Sequence, residues 1–224
     1  MKIVVLVSAI AEWNAVLPLF PDAKLRRFPF GECFEIVLHD EHISFFHSGW
    51  GKIASAGSMQ YVIDTYSPDL IVNLGTCGGF EGVVQQGETI LVEKTYVYDI
   101  VELMGDLDII SYYATSLDLS WLAEPYPYPA RRGMIASADS DLPPAKIPFL
   151  KEKGAIAADW ESAALAWVAQ RNNARLLILR GVSDMVSEEG GEAYDNIEIF
   201  NERARGIMEQ LVEQLPDWLS AVKL

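Results

Sequence analysis

The sequence is poor in cysteine, histidine and positive charge. Its 224 residues include two cysteines, three histidines and 17 Lys and Arg against 32 Asp and Glu, for a net charge of −15. Cys33 and Cys77 fall in separate predicted elements and the histidines crowd at positions 39, 42 and 47, so no zinc-ligand spacing is present. The acidity disfavours nucleic acid and anionic membranes as partners. We therefore expect neither a metal nor a cofactor.

Long apolar runs are also missing. No run approaches the roughly 18 residues of a membrane span, although half of all residues are apolar and 22% are charged. This balance is typical of a chain that folds around a core, and its length predicts a single domain over residues 1–224. The low cysteine content favours a reduced, cytoplasmic location. Met1–Ala11 mimics a short signal peptide, but a first buried strand explains the same residues better.

Three common catalytic and binding motifs are absent. The stretch S-G-W-G-K-I at Ser48–Ile53 is glycine-rich, but it has neither the spacing of a phosphate loop nor that of a dinucleotide fingerprint. No G-x-S-x-G nucleophile elbow occurs. What remains at this stretch is close backbone approach, with Trp50 at the tip of a loop.

Apolar strands alternate with helical segments along the chain. Strands are predicted at Lys2–Val7, Glu32–His39, His42–Ser48, Leu70–Leu74, Glu88–Tyr98, Gly133–Ala138 and Arg175–Val182. A buried helix is predicted over Ser162–Gln170, and a closing amphipathic helix from Ala193 to about Leu215, ending before Pro216. Val101–Pro129 is predicted to be a loop or flap. The pattern predicts an α/β fold, a single-domain three-layer α/β/α arrangement with a central mixed, twisted β-sheet.

The stretch Arg175–Met185 has two interpretations. Four aliphatic residues, Leu176–Leu179, are typical of a strand buried on both faces, and the run breaks at Gly181 before a Ser-Asp pair at 183–184. Ligands of open α/β sheets lie beyond the carboxyl ends of the strands, so this carboxylate could enter a pocket. Alternatively, the pair caps the following helix.

Polar residues end four of the predicted strands. They are Glu12, Thr76, Asp159–Glu161 and Ser183-Asp184. Separated carboxylates without a metal cluster suit acid–base cleavage of a glycosidic bond, in which one carboxyl protonates the leaving group and another activates water. A third carboxylate can accept hydrogen bonds from two vicinal ribose hydroxyls, and glycine-rich strand ends such as the one containing Gly78 let the backbone approach a sugar closely.

Eight short motifs in this order carry a family resemblance over almost the full length. They are the first strand leading to Glu12, S-G-W-G-K at 48–52, N-L-G-T-C-G-G at 73–79, G-E at 87–88, Tyr98-Asp99, S-A-D at 137–139, D-W-E-S-A-A at 159–164 and R-G-V-S-D at 180–184. The chain resembles the purine nucleoside phosphorylase/nucleosidase superfamily, and within it the 5′-methylthioadenosine/S-adenosylhomocysteine nucleosidases. That resemblance implies a nucleoside phosphorylase-like fold, a purine nucleoside as substrate and a homodimer, for which the apolar 101–130 segment is a candidate interface.

The resemblance also implies roles for individual residues. Glu12 matches the base that activates water, Glu161 the carboxylate that binds the ribose hydroxyls, and Asp184 the acid that protonates purine N7. Burial at a strand end would raise the pKa of such an acid. The remaining matches are Thr76 and Arg180 for positioning the water, Ser183 for holding Asp184, Trp50 and Tyr194 for contacts to the 5′ substituent, and Leu142 near the adenine edge.

Three residues depart from the nucleosidase pattern. Trp160 places a large ring beside the ribose, Asp141 stands where an apolar side chain commonly packs on the base, and Trp50 is larger than the usual aliphatic residue. A small 5′-methylthio group therefore fits better than homocysteine, and another purine nucleoside such as futalosine stays open as the substrate. Because Glu12 occupies a loop where phosphorylases carry an arginine, we expect hydrolysis rather than phosphorolysis. A catalytically silent nucleoside-binding relative is the remaining alternative.

Overall fold

The computed structural model describes residues 1–38, 41–104, 109–194 and 196–223. The elements in chain order are β1 (Lys2–Val7), α1 (Ile10–Val16), β2 (Arg26–Phe28), β3 (Gly31–Leu38), β4 (Glu41–His47), α2 (Gly51–Tyr66), β5 (Leu70–Phe80), β6 (Thr89–Val97), α3 (Ile109–Tyr113), β7 (Thr115–Ser116), β8 (Arg131–Ser137), α4 (Ile147–Glu152), β9 (Ala155–Asp159), α5 (Ser162–Asn172), β10 (Leu176–Ser187), β11 (Gly190–Gly191) and α6 (Ile197–Ser220). Short 3₁₀ turns occupy Leu17–Leu19 and Pro144–Lys146.

All of these strands belong to one mixed sheet, which confirms the predicted fold class. The strand order is β11-β10-β6-β8-β9-β5-β1-β4-β3-β2, and β7 pairs with β6. Parallel pairing joins β1 to β4 and β5, whereas β3 and β4 form the predicted antiparallel hairpin. Residues 39 and 40, which connect β3 to β4 in the sequence, lie outside the described residues.

One part of the sheet closes on itself, which the sequence did not predict. Strand β5 pairs with β10 in parallel and with β9 antiparallel, at Gly78 and Gly79. The ring β5-β10-β6-β8-β9 is thereby completed. As a result, the end of β9 lies beside the C-terminal end of β5, and residues distant in sequence meet at one opening.

Helices cover the sheet on both faces. One large buried cluster joins β1 to α1 and α6, and a second joins β5 and β10 to α2 and α5. The strands of this centre are completely buried, with Val4, Leu6, Ile71 and Ile178 at 0% exposure, as parallel strands covered on both faces require. Within the described residues, no helix is both long and apolar enough to cross a bilayer.

The predicted ends of two strands were wrong. Strand β5 continues through the glycines at 75, 78 and 79 to Phe80, and β10 continues past Gly181 to Ser187. Glycine suits these positions because neighbouring groups leave no room for a side chain. At Gly181, for example, a Cβ would lie 2.3 Å from Ile207 Cγ2 on α6. Ser183 and Asp184 therefore lie inside a strand, and the helix-cap interpretation was wrong.

The closing helix was also predicted with wrong bounds. Helix α6 begins at Ile197, where the Asn196 side chain accepts a hydrogen bond from the Ile199 amide, and it runs through Pro216. A proline inside a helix costs about 3 kcal/mol. Burial outweighs that cost, because the last turns place Trp218 and other apolar side chains in the core.

The segment predicted as a loop or flap divides into two parts. Val101, Leu103 and Met104 are exposed, and α3 and β7 follow them. Leu119 and Trp121 instead belong to the buried core. Residues 105–108 lie outside the described residues. The candidate interface is therefore limited to the first part of the segment.

Candidate active site

One cavity of about 730 Å³ opens where β1, β5, β9 and β10 come together. Ten of the eleven predicted site residues line it: Glu12, Trp50, Thr76, Gly78, Leu142, Trp160, Glu161, Ser183, Asp184 and Tyr194. Arg180, the eleventh, is fully buried and does not contribute to the lining. The four polar strand ends thus meet at one cavity, as the sequence predicted.

Glu12 is held rigidly at the start of α1. One carboxylate oxygen, Oε1, accepts hydrogen bonds from the Thr76 amide at 2.6 Å and the Thr76 hydroxyl at 2.8 Å. The other, Oε2, accepts from the Ala9 amide at 3.1 Å and thereby caps the helix. The capping explanation and the site explanation of Glu12 therefore both hold, since its two oxygens face different partners.

Arg180 is a fully buried cation behind the cavity lining, and it interacts with Asp159, Glu12 and Glu161. Its Nε pairs with Asp159 Oδ2 at 3.0 Å and donates to the Ser162 hydroxyl at 3.0 Å, and its Nη2 donates to Asn73 Oδ1 at 2.7 Å. Nη1 has no hydrogen-bond partner among the described residues.

Gly75 leaves open the space in front of Nη1. A Cβ added at Gly75 would lie 1.8 Å from Arg180 Nη1 and 2.9 Å from Glu12 Oε1. The unpartnered donor and the carboxylate oxygen therefore both lie within 3 Å of the position that a Cβ at Gly75 would fill. A group placed there could accept a hydrogen bond from Arg180 and donate one to Glu12, which is what a water molecule can do.

Glu161 connects the end of β9 to the N-terminus of α2. Its Oε1 accepts a hydrogen bond from the Gly51 amide at 3.1 Å, and only 5% of the residue is exposed. Burial raises the pKa of Glu161 to about 8; Arg180 opposes this rise, and Asp159 and Glu12 add to it. Near neutral pH, these surroundings therefore favour the protonated form of Glu161.

Asp184 emerges from β10 at an irregularity in the sheet. Its pairing with β5 shifts between Val182 and Asp184, so Ser183 is an extra residue, and the Ser183 hydroxyl lies 2.7 Å from Asp184 Oδ1. Burial raises the pKa of Asp184, while the hydrogen bond from Ser183 lowers it. A carboxyl group that tends to keep its proton in a cavity is suited to act as a general acid.

Aromatic rings form the outer part of the cavity. Trp50, which directly precedes α2, lies 5.2 Å from Trp160 between ring centroids, and Trp50 is 61% exposed. Tyr194 donates from its hydroxyl to the Leu142 carbonyl at 2.9 Å. Trp50, Tyr194 and Leu142 thus all line the cavity, as does Asp141.

Several residues of the site escaped sequence reasoning. Gly75, Asn73 and Ser162 hold or accommodate Arg180, and Tyr98 and Phe200 contribute to the lining. Gly75 and Asn73 belong to the motif N-L-G-T-C-G-G, which was a signal for them; Phe200 lies on a helix whose orientation only the fold determines. In the described part of the chain, no group of three His, Cys, Asp or Glu side chains could hold a metal.

Comparison with known proteins agrees with this geometry. The Phosphorylase superfamily matches residues 5–215, so the chain belongs to that superfamily. A curated 5′-methylthioadenosine/S-adenosylhomocysteine nucleosidase of Oceanobacillus iheyensis is 26% identical over 70% of this chain and 75% of that relative. The corresponding protein of Staphylococcus saprophyticus is 26% identical over 80% and 82%.

Solved structures of nucleosidases share the fold. The Streptococcus pneumoniae nucleosidase in complex with 8-aminoadenine superposes with a TM-score of 0.80 at 20% identity, covering 99% of this chain and all of that one. A mutant Helicobacter pylori nucleosidase with 5′-methylthioadenosine in its active site gives 0.79 at 20% identity, covering 96% and 98%.

Proposed function

We propose that this chain hydrolyses the N-glycosidic bond of a 5′-modified purine nucleoside, with 5′-methylthioadenosine as the first candidate and S-adenosylhomocysteine as the second. Water would attack C1′ while the bond from C1′ to N9 breaks, releasing adenine and a 5-thioribose. Glu12 would take the proton from water, and Asp184 would give its proton to purine N7. The nucleosidases similar to this chain support that choice of substrate.

One observation favours water over phosphate as the attacking group. The cavity lining contains five carboxylates, at Glu12, Asp141, Asp159, Glu161 and Asp184, and no Lys, Arg or His side chain among the described residues. A phosphate anion entering this space would meet acidic side chains and no basic side chain in the described part of the lining, and Arg180 is already paired with Asp159. Water needs no such charge, and Glu12 with Arg180 Nη1 offers it both an acceptor and a donor.

We propose that Glu161 binds the ribose. Its carboxylate lies between the N-terminus of α2 and the cavity, where it could accept hydrogen bonds from the 2′ and 3′ hydroxyls. Trp50 and Trp160 would restrict the space for the 5′ substituent, so we expect methylthioadenosine to be preferred over the bulkier homocysteine derivative. The ratio of kcat/KM for the two substrates measures this preference.

Adenine release from methylthioadenosine, followed with and without phosphate, tests the reaction. We expect equal rates in both buffers. Strict dependence on phosphate would instead establish phosphorolysis, the second candidate, which the unpartnered Arg180 Nη1 and membership of the Phosphorylase superfamily favour. No turnover across methylthioadenosine, S-adenosylhomocysteine, futalosine, inosine and adenosine would indicate a silent binding protein.

The proposed role of Asp184 has its own test. D184N keeps the size of the side chain but cannot donate a carboxyl proton, so we expect kcat to fall about 10²- to 10⁴-fold, the usual contribution of a positioned general acid. Glu189→Gln, at an exposed position near the end of the same strand, is the control and should leave the rate unchanged. A rate near that of the wild type in D184N would refute the role.

We further propose that the chain acts as a cytoplasmic homodimer. Val101, Leu103 and Met104 are exposed at 68%, 88% and 93%, which is unusual for apolar side chains that lie close together in sequence. Both cysteines are free and buried, as suits a reducing compartment. Light scattering of the purified protein tests the dimer, and L103D with M104D should give monomers.

A further inference from the structure

The backbone around Asp184 is held from outside its own strand. Arg203 on α6 donates from Nη1 to the Ser183 carbonyl at 3.2 Å, and the Met185 amide donates to Glu192 Oε2 at 3.3 Å. The two side chains pair with each other at 3.0 Å. One ion pair thus connects the residue before Asp184 to the residue after it.

The irregularity at Ser183 explains why such support is needed. Ser183 has no register partner on β5, so the regular ladder does not determine where its peptide groups point. The Arg203–Glu192 pair contacts the backbone on both sides of the irregularity. Gln86 Nε2 also donates to the Ser183 carbonyl, at 3.3 Å, but the Arg203–Glu192 pair contacts the backbone both before and after Asp184.

The same two residues are the charged groups that face Asp184 within the described chain. Asp184 faces Cys77 on β5, Arg203 on α6, and Glu192 and Tyr194 in the segment after β11. Burial raises the pKa of Cys77 well above its ordinary value, and burial with nearby carboxylates raises that of Tyr194 to about 12, so both are uncharged near neutrality. Of the two charges, Arg203 lowers the pKa of Asp184 and Glu192 raises it.

We propose that Arg203 and Glu192 are positioning residues that aim Asp184 into the cavity and set the pH range over which it keeps its proton. This inference rests on the proposed function, in which Asp184 is the proton donor. The pair is partly exposed, at 27% and 49% of the two side chains, and a pair of that kind contributes little to stability. Its effect should therefore be seen in catalysis rather than in unfolding.

The pH dependence of kcat/KM tests the proposal, because it reports groups of the free enzyme. Activity needs protonated Asp184 and is lost as pH rises through its pKa. Removing the positive charge in R203M should move this alkaline limb to higher pH, and removing the negative charge in E192Q should move it to lower pH. R203M should also lower kcat about 10- to 100-fold, as a displacement of about 1 Å in a reacting group can do.

Matched controls separate this effect from a change in net charge. Arg205→Met and Glu188→Gln remove the same charges at exposed positions on the same helix and near the same strand end, and their limbs should coincide with the wild type. Limbs of R203M and E192Q that coincide with these controls would overturn the proposal. If R203M does not fold, R203K and E192Q provide the test. R203K keeps the positive charge, so its alkaline limb should stay at the wild-type pH, whereas its kcat should fall.

The result for D184N distinguishes the two levels of inference. A full rate in D184N would refute the proton donor itself. A large loss in D184N, together with unmoved limbs in R203M and E192Q, would refute only the positioning pair.

Discussion

Replacing Glu161 by Gln should make the protein more stable at alkaline pH while removing its activity. A Gln side chain keeps the acceptor for the Gly51 amide, at the position where Glu161 Oε1 accepts at 3.1 Å, but it cannot ionise. Burial raises the pKa of Glu161 from 4.5 to about 8, so the folded protein holds a proton there that the unfolded chain loses at much lower pH. Stability from this group is complete at acidic pH and declines as pH rises through the folded pKa.

The size of the effect follows from the same pKa change. The free energy of unfolding should fall by up to about 5 kcal/mol in the wild type between about pH 4 and pH 9 because of Glu161. For a chain of this length each kcal/mol shifts the melting temperature by about 2–4 °C, so the total is about 10–20 °C. E161Q does not undergo this decline.

Thermal unfolding at a series of pH values measures the prediction. The melting temperatures of E161Q and the wild type should be similar at pH 5 and should diverge up to pH 9, with E161Q the higher. Glu189→Gln, which removes an exposed carboxylate, should follow the wild type throughout. A constant offset between E161Q and the wild type, or a divergence in the opposite sense, would refute the assignment of a buried, protonated Glu161.

Two further substitutions test the support of Arg180. G75A should lower kcat about 100-fold or more, since its Cβ would overlap Arg180 Nη1 and displace a group of the site, whereas Gly206→Ala, with open space around it, should keep full activity. D159N breaks the buried ion pair between Asp159 and Arg180, which should cost about 3–5 kcal/mol of unfolding free energy and lower the melting temperature by about 10 °C. A shift under 2 °C would mean that another group compensates the charge of Arg180.

The sequence was sufficient for the fold class and for the main acidic residues of the cavity lining. Strands such as β1 and the first half of β10 are almost purely aliphatic, so their burial was readable, and polar residues that end such strands tend to meet at one edge of a sheet. Glu12, Glu161 and Asp184 were predictable for this reason. Their neighbours in sequence also carried the family motifs.

Features that depend on the closing of the sheet could not be predicted from the sequence. Glycines at 75, 78, 79 and 181 indicate strand ends in isolation, but here they let other groups approach a continuous strand. The path of α6 through Pro216 depends on how much apolar surface its last turns bury. Arg203 and Glu192 have no local signal, because their importance arises from the contact of α6 with the irregular part of β10.

Burial acts on both Glu161 and Asp184, but the two carboxyl groups differ in what surrounds them. Glu161 lies close to Arg180, a fully buried cation already paired with Asp159, and burial raises the pKa of Glu161 more than this cation lowers it. Asp184 instead faces a partly exposed pair of opposite charges, whose effects on its pKa oppose each other. A ribose that donates two hydroxyl hydrogens to Glu161 would supply the missing stabilisation of its charge. The arrangement therefore allows substrate binding to remove the proton from Glu161 while Asp184, which the ribose does not contact in the proposed mode, retains its own for the leaving base.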